Sequence, residues 1–239
     1  MDSFEQSDDI VSGTVLGTFE IFSKLPISVR TDIASDLLLR KYDKGQFVIS
    51  KNRASSDVYF IVSGEIRVCS FAGNGKQIFY DLLKPGMMFG ELAAIDDSGR
   101  SSDCIAVNDV VLTAMSAEYF SKMIKTHDDV LDAVLRRLVC MVRENMQRVY
   151  EFGSMSVSQR IRCEIFRIVS MSRHNETDLD GLDIELLSVP THAEFAARVS
   201  THREAVTREL KSLESEGVLT WRPGKHVVHD VLKLMESID

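Results

Sequence analysis

The chain has 239 residues, of which 44% are hydrophobic and 27% charged, and it carries a formal net charge of −8. Such a composition can bury packed cores in one large or two modest domains and excludes a disordered chain. Its negative charge argues against nucleic-acid binding driven by the overall field.

No apolar run approaches the ~20 residues of a membrane span. The acidic, polar stretch Met1 to Asp9 lacks the cationic and apolar parts of a secretory leader, so a cytoplasmic location is expected. Cys69, Cys104, Cys140 and Cys163 stand far apart. Their spacing suits neither a metal, a redox pair nor a disulfide framework, as expected in a reducing cytosol.

Residues Phe22 to Leu39 show helical patterning with a break at Pro26. From about Gly45 to Ser116 the texture changes. Turn pairs recur at Lys44-Gly45, Ser63-Gly64, Gly73-Asn74-Gly75, Pro85-Gly86 and Ser98-Gly99. Between them lie short apolar runs: Phe47 to Ile49, Val58 to Val62, Ile66 to Val68 and Ile105 to Val107. Many short strands with regular turns predict a β-sandwich or barrel.

Within this region Phe89-Gly90-Glu91-Leu92-Ala93-Ala94-Ile95 precedes Gly99-Arg100-Ser101-Ser102. Gly90 allows close approach of the backbone to a ligand. A short helix opening at Glu91-Leu92-Ala93 presents free N–H groups suited to an anion. Arg100, nine residues after Glu91, can return and grip the same anion. Glu91 would repel a phosphate but suits a sugar hydroxyl beside it. A nucleotide or sugar phosphate offers both groups. The competing reading is a surface Glu–Arg pair worth ~0–1 kcal/mol.

These residues resemble the phosphate-binding cassette of the cyclic-nucleotide-binding domain, which runs Gly-Glu-Leu-Ala and then Arg with a small residue. Gly45, Gly64 and Gly86 fall where that β-roll turns. The resemblance implies an eight-stranded β-roll. It places Arg100 on the cyclic phosphate, Glu91 on the ribose 2′-hydroxyl, and Ser101 on a phosphate oxygen or the base. Ser102 stands where the family usually has alanine.

A long helix is predicted from about Asp128 to Glu151, with Asp128 and Asp129 complementing its dipole. Leu131, Leu135, Leu138, Val142, Asn145, Val149 and Phe152 recur at spacings of 4 and 3, a coiled-coil seam. That predicts a parallel homodimer; packing on its own domain is the alternative. Gly153 is expected to break the helix. Asn145 either fixes coiled-coil register or reaches a base with its amide. Asn145-Met146 stands where a Thr-Ser pair is typical of the best-known member of the resembled family, and these two residues complete the expected nucleotide contacts.

Ser156-Val157-Ser158-Gln159 is a capping-box sequence that should start another helix. A polar stretch, Ser172 to Asp183, follows. Thr191 to Val199 and Thr201 to Glu214 then read as two helices, each opened by a T-x-x-E box. Ala197, Val199, Val206 and Leu210 give them a shared apolar face. Two boxed helices joined by so short a turn predict a helix-turn-helix. Strands around Arg222-Pro223-Gly224-Lys225 read as a wing.

His202, Arg203, Glu204, Thr207, Arg208 and Lys211, with Lys225 in the wing, are the expected DNA contacts. Arg can bind guanine bidentately and Glu can accept from cytosine. Arg198, Lys211, Arg222 and Lys225 are expected at phosphates. From Met155 onward 11 Lys or Arg face 14 Asp or Glu, so DNA binding must come from a local basic face. A solvated helix with surface pairs is the competing reading.

The order of parts resembles the Crp–Fnr family of bacterial transcription regulators over nearly the whole chain. In that family the recognition helix carries Arg-Glu and, four residues after the Glu, Arg; Arg203-Glu204-Ala205-Val206-Thr207-Arg208 has that spacing. The resemblance implies an α+β protein with a jelly-roll β-roll domain at 1–127, a dimerisation helix and hinge at 128–155, and a winged helix-turn-helix at 156–239. It implies a cytoplasmic, allosteric homodimer that binds palindromic double-stranded DNA when cyclic AMP, or alternatively cyclic GMP, is bound. RNA polymerase is the further expected partner; no membrane, metal or catalytic role is expected. The rivals are a regulator of this type sensing another ligand, and a cyclic-nucleotide-binding module without a DNA-binding role. The cysteine cluster of iron–sulfur branches and the axial ligands of haem branches have no counterpart. His226 and His229, three apart in a predicted strand, are a poor metal pair.

Overall fold

The computed structural model describes residues 6–51, 53–73, 75, 77–172, 183–186, 189–236 and 238. The chain divides into two compact units, Met1–Val142 and Arg143–Asp239.

The first unit begins with β1 (Gln6–Ile10), α1 (Gly13–Leu16), α2 (Glu20–Ser23), α3 (Ile27–Ser35) and β2 (Leu38–Tyr42). It continues through β3 (Phe47–Ile49), β4 (Val58–Ser63), β5 (Ile66–Phe71), β6 (Gln77–Leu83) and β7 (Met88–Phe89). Then come α4 (Glu91–Asp96), β8 (Asp103–Ala106), β9 (Val110–Met115), α5 (Ala117–Thr126) and the start of α6 (Asp128–Ser154), a helix that runs on into the second unit. The strands form two antiparallel sheets, ordered β1-β2-β9-β4-β7 and β3-β8-β5-β6. The expected β-roll is therefore present, with β1 and β2 lying outside the strand region predicted from sequence.

The helical expectation for residues 22–39 fails at its end. Helix α3 stops at Ser35, and Leu39 to Tyr42 pair with Thr113 to Val110. Strand pairing decided this short apolar stretch, as tertiary context often overrides local pattern.

Strand β4 explains its own continuous apolar run. Val58 and Phe60 face one core, and Tyr59 and Ile61 the other. Both faces are covered, so no polar alternation is needed. The first core packs Phe60 against Phe19 and Phe22, with ring centroids 5.4 Å and 5.2 Å away. Alanine at Phe60 would cost about 3–5 kcal/mol. The second core fills the space between the sheets with Ile49, Ile66, Leu83, Phe89 and Leu112.

The turns fall at the expected glycines. Gly45, Gly64 and Gly86 all take positive φ. At Gly64 a Cβ would also stand 2.5 Å from the Asp109 carbonyl, so both conformation and space demand glycine.

Helix α6 runs unbroken to Ser154, so Gly153 lies inside it, contrary to the expected break. One glycine costs a helix only about 1 kcal/mol. The chain leaves the helix at Met155-Ser156 instead, where the next cap begins.

The second unit adds α7 (Val157–Ser172), β10 (Ile184–Glu185), α8 (His192–Arg198) and α9 (Arg203–Ser215). It ends with β11 (Leu219–Arg222), β12 (Lys225–Val228) and α10 (Val231–Glu236). The Ser156 box forms reciprocally: Gln159 N–H donates to Ser156 Oγ, and Ser156 N–H to Gln159 Oε1. Most of the polar stretch after α7 lies outside the described residues. Ile165, Ile168, Phe195, Val206, Leu210, Leu213 and Val228 build the core of this unit. Ala196, rather than Ala197, is the alanine buried there.

Candidate functional site

The cassette begins at the end of β7. Gly90 caps α4 with φ 87°. A Cβ there would lie 2.7 Å from Arg100 Nη1 and 2.8 Å from the Asp57 carbonyl oxygen. The glycine is required by the close passage of the arginine. Glu91 and Ala93 are buried in α4, and Leu92 is half-buried.

Arg100 is 5% exposed. Its Nε donates to Ser55 Oγ at 2.9 Å, Nη1 to Gly90 O at 2.8 Å and Nη2 to Asp57 O at 2.7 Å. All three acceptors are neutral. They hold the guanidinium in place without cancelling its charge, and two of its five N–H groups remain for a ligand. Ser55 and Asp57 were not among the sequence expectations. No spacing rule could find them, because they reach Arg100 from 45 and 43 residues away.

Glu91 is 4% exposed. Burial pushes its carboxyl above the usual carboxylate range, against its own backbone N–H and the positive fields of Arg137 and Arg100. Tyr59 stacks on Phe89 at 5.3 Å beneath the cassette. Burial also raises its phenol and the Cys104 thiol. The roll thus holds a buried carboxylate and a buried arginine in one dry place, each lacking a directly bonded partner of opposite charge. That combination suits a ligand that carries both an anion and a hydroxyl.

Of the other expected contacts, Ser101 is exposed beside Arg100. Asn145 and Met146 are exposed on the part of α6 that belongs to the second unit, Met146 at 67%. The seam also differs in detail. Leu138 packs against the first core, whereas Leu131, Leu135, Val139, Val142, Met146 and Val149 form the exposed apolar stripe. Asn145 is exposed between Val142 and Val149 on the same helix.

In the second unit, Thr191 and Glu194 close a reciprocal capping box at the start of α8. The box expected at Thr201 does not form. His202 is the N-cap of α9 and makes no side-chain cap bond. The turn explains the shift: Ser200 takes φ 54°, and Thr201 N–H donates back to Ala196 O. The first carbonyl that accepts from the helix is His202's.

His202, Arg203, Glu204, Arg208 and Lys211 are all exposed along α9, and Lys225 is exposed in the wing. Thr207 is half-buried, its hydroxyl 2.9 Å from His192 Nδ1 and bonded to Arg203 O. Burial, with Arg203 and His226 nearby, lowers the pKa of His192. The wing is a hairpin closed by Pro223-Gly224, with Arg222 opposite Lys225. Among the described residues no cluster of His, Cys, Asp or Glu is arranged to hold a metal.

Two charges of the helix-turn-helix are structural. Arg198 is not free for phosphate: it pairs with buried Glu164 at 3.1 Å. Glu209 is buried and accepts from Arg162 Nε at 2.6 Å. Arg167 bonds both Glu164 and Glu151, so the end of α6, α7 and α8 share one buried group of charges. Apolar flanks and helical spacing gave no signal of this.

Each unit contains a match to a known domain. Residues 39–127 match the cyclic nucleotide-binding domain, and residues 167–237 match the Crp-like helix-turn-helix domain. The chain is 26% identical over 198 residues to the "Cyclic AMP receptor protein" of Thermus thermophilus, covering 82% of this chain and 86% of that one. It is 23% identical over 219 residues to the human "cGMP-dependent protein kinase 2", covering 89% of this chain but only 29% of the kinase. A solved CooA mutant from Carboxydothermus hydrogenoformans shares the fold at 15% identity and a TM-score of 0.77, over 98% of both chains. The two matched domains together mark a transcription regulator with a cyclic-nucleotide-binding roll and a DNA-binding helix-turn-helix. The chain belongs to the Crp–Fnr family.

Proposed function

We propose that the protein is a homodimeric, cytoplasmic regulator that binds a palindromic DNA site when a 3′,5′-cyclic nucleotide occupies the roll. Cyclic AMP is the first candidate and cyclic GMP the second. The observation that carries this reading is the buried Arg100, held by neutral acceptors with its charge uncancelled, beside the buried Glu91. Arg100 receives the cyclic phosphate, and the Glu91 carboxylate accepts a hydrogen bond from the ribose 2′-hydroxyl. Leu92 and Ala93 shape the wall, and Ser101 borders the entrance.

The exposed apolar stripe on α6 supports pairing with a second copy. Two copies of α9 would then read inverted half-sites about 34 Å apart in successive major grooves. Arg203 and Arg208 read guanines, and Glu204 accepts from a cytosine. Lys211 and Lys225 hold phosphates. The nucleotide need favour the DNA-competent state by only a few kcal/mol. RNA polymerase is the expected partner of the DNA-bound dimer.

The test is a fluorescence-anisotropy titration of a palindromic duplex, alone and with cyclic AMP or cyclic GMP. Nucleotide-dependent tightening is the expected result. DNA binding that ignores both nucleotides would transfer the pocket to another ligand. Nucleotide binding with no DNA binding would leave only a nucleotide-binding module.

A further inference from the structure

One cation in the first unit has no part in the reading above. Arg137 lies in the third turn of α6. Its Nη2 donates to Asp81 Oδ2 on β6 at 3.3 Å, a long contact for charged partners. Its Nε is buried and has no hydrogen-bond partner among the described residues. Asp81 depends little on this contact, because Oδ1 already accepts Leu82 N–H at 2.8 Å and the side chain is 38% exposed. A buried donor left unmet has a definite cost, and such groups in native structures call for a cause.

The surroundings indicate one. Val134 and Leu138, on either side of Arg137 in α6, pack in the same core as Met88 and Ala94 of the cassette segment, and the Arg137 charge acts to lower the pKa of Glu91. Arg137 thus lies on a stretch of α6 that shares a core with the cassette, as well as being bonded to Asp81. The cassette's own arginine has three donors committed to Ser55, Gly90 and Asp57. A phosphodiester anion has two exocyclic oxygens, and Arg100 with two N–H groups to spare leaves room for a second donor.

We propose that Arg137 is a second anion-binding group of the nucleotide pocket, which exchanges Asp81 for a phosphate oxygen when the ligand enters. The inference rests on the cyclic-nucleotide reading of the roll. It gives α6 its own sensor of occupancy in its third turn, on a residue that neither the cassette pattern nor the seam pattern marks. The exchange is favourable because a hydrated, half-exposed carboxylate at 3.3 Å is a weaker partner than a phosphate in a dry site. The orphan Nε–H gains an acceptor at the same time.

Calorimetry of the full chain with cyclic AMP and cyclic GMP tests this through four proteins: wild type, R137M, D81N and the double variant. R137M should weaken binding at least about tenfold, the worth of one charged hydrogen bond. D81N should tighten binding, because it releases Arg137 for the ligand while asparagine keeps the bond to Leu82 N–H. In the R137M background the D81N change should have no effect. If Arg137 merely braces the fold, cutting the bridge from either end would act alike. D81N binding as wild type or more weakly therefore overturns the proposal, and that arm stands even where R137M fails to fold. A wild type that binds neither nucleotide overturns both the functional reading and this inference. A wild type that binds, with all variants matching it, overturns the inference alone.

Discussion

The two units both bury charge, but in opposite ways. In the second unit Glu151, Glu164, Arg167 and Arg198 neutralise one another. In the roll, Arg100 is bonded to a hydroxyl and two carbonyls, and Glu91 has no directly bonded arginine. Charges that cancel inside a protein are part of its framework. Charges kept apart at comparable burial are held in readiness for something that is not part of the chain. The contrast separates structural arginines from a binding arginine, although the sequence presents both as scattered basic residues.

The largest effect should come from breaking the cancelled group. Arg167→Met leaves two buried carboxylates, on Glu151 and Glu164, without their shared cation. Chemical denaturation should show a loss of about 3–5 kcal/mol. A loss under about 1 kcal/mol, typical of exposed pairs, would mean that these charges are hydrated in solution.

In the roll, Arg100→Ala should cost about 2–5 kcal/mol of nucleotide affinity by calorimetry. Because Arg100 also ties Ser55 and Asp57 to Gly90, stability should fall too, by one or more charged hydrogen bonds of about 1.5–3 kcal/mol each. Unchanged affinity would reduce Arg100 to a framework residue and erase the contrast between the units.

Glu91→Gln sharpens the comparison through pH. The folded-state pKa of Glu91 is raised by burial, so the native state holds its proton more tightly than the unfolded chain. Stability from this group is present below the ordinary carboxylate pKa and is lost as pH rises from there through the raised value. Glutamine carries no such penalty. At neutral pH the variant should be more stable than wild type, and its advantage should vanish on acidification below the ordinary carboxylate range. Its nucleotide affinity should nevertheless fall by about 1.5–3 kcal/mol, the loss of one charged hydrogen bond. Denaturation curves that keep a constant offset between the two proteins at all pH values would show that Glu91 is not held in this way.

The smallest effects concern exposed charges. Arg208→Ala should cost about 1–3 kcal/mol per half-site and relax preference at one base pair. Lys225→Ala should weaken all sequences alike and flatten the salt slope by about one unit. Identical behaviour of the two on matched and mismatched duplexes would remove α9 as the reading helix.

Local chemistry made much of the protein legible in advance. Gly90, Glu91 and Arg100 are close in sequence, and a glycine with positive φ, a short helix and a returning arginine are features that short segments encode. The same holds for the reciprocal boxes at Ser156 and Thr191, and for the hairpin around Pro223-Gly224. In the boxes a side chain satisfies backbone groups within a turn of itself, and in the hairpin the turn pair sets the reversal.

Tertiary contact decided the remainder. Leu38 to Tyr42 is a strand because β9 pairs with it, not because of its own pattern. Gly153 stays helical, and Thr201 yields the cap to His202 because Ser200 and Ala196 set the turn. Arg198 and Glu209 look like surface charges until Glu164 and Arg162 meet them from α7. Ser55 and Asp57 reach Arg100 from distant segments, and Arg137 meets Asp81 from 56 residues away. A partner tens of residues away leaves no periodicity or spacing in the sequence. Only folding brings the opposite charge or the neutral acceptor into contact, and that partner determines whether a buried arginine is spent on the framework or kept for a ligand.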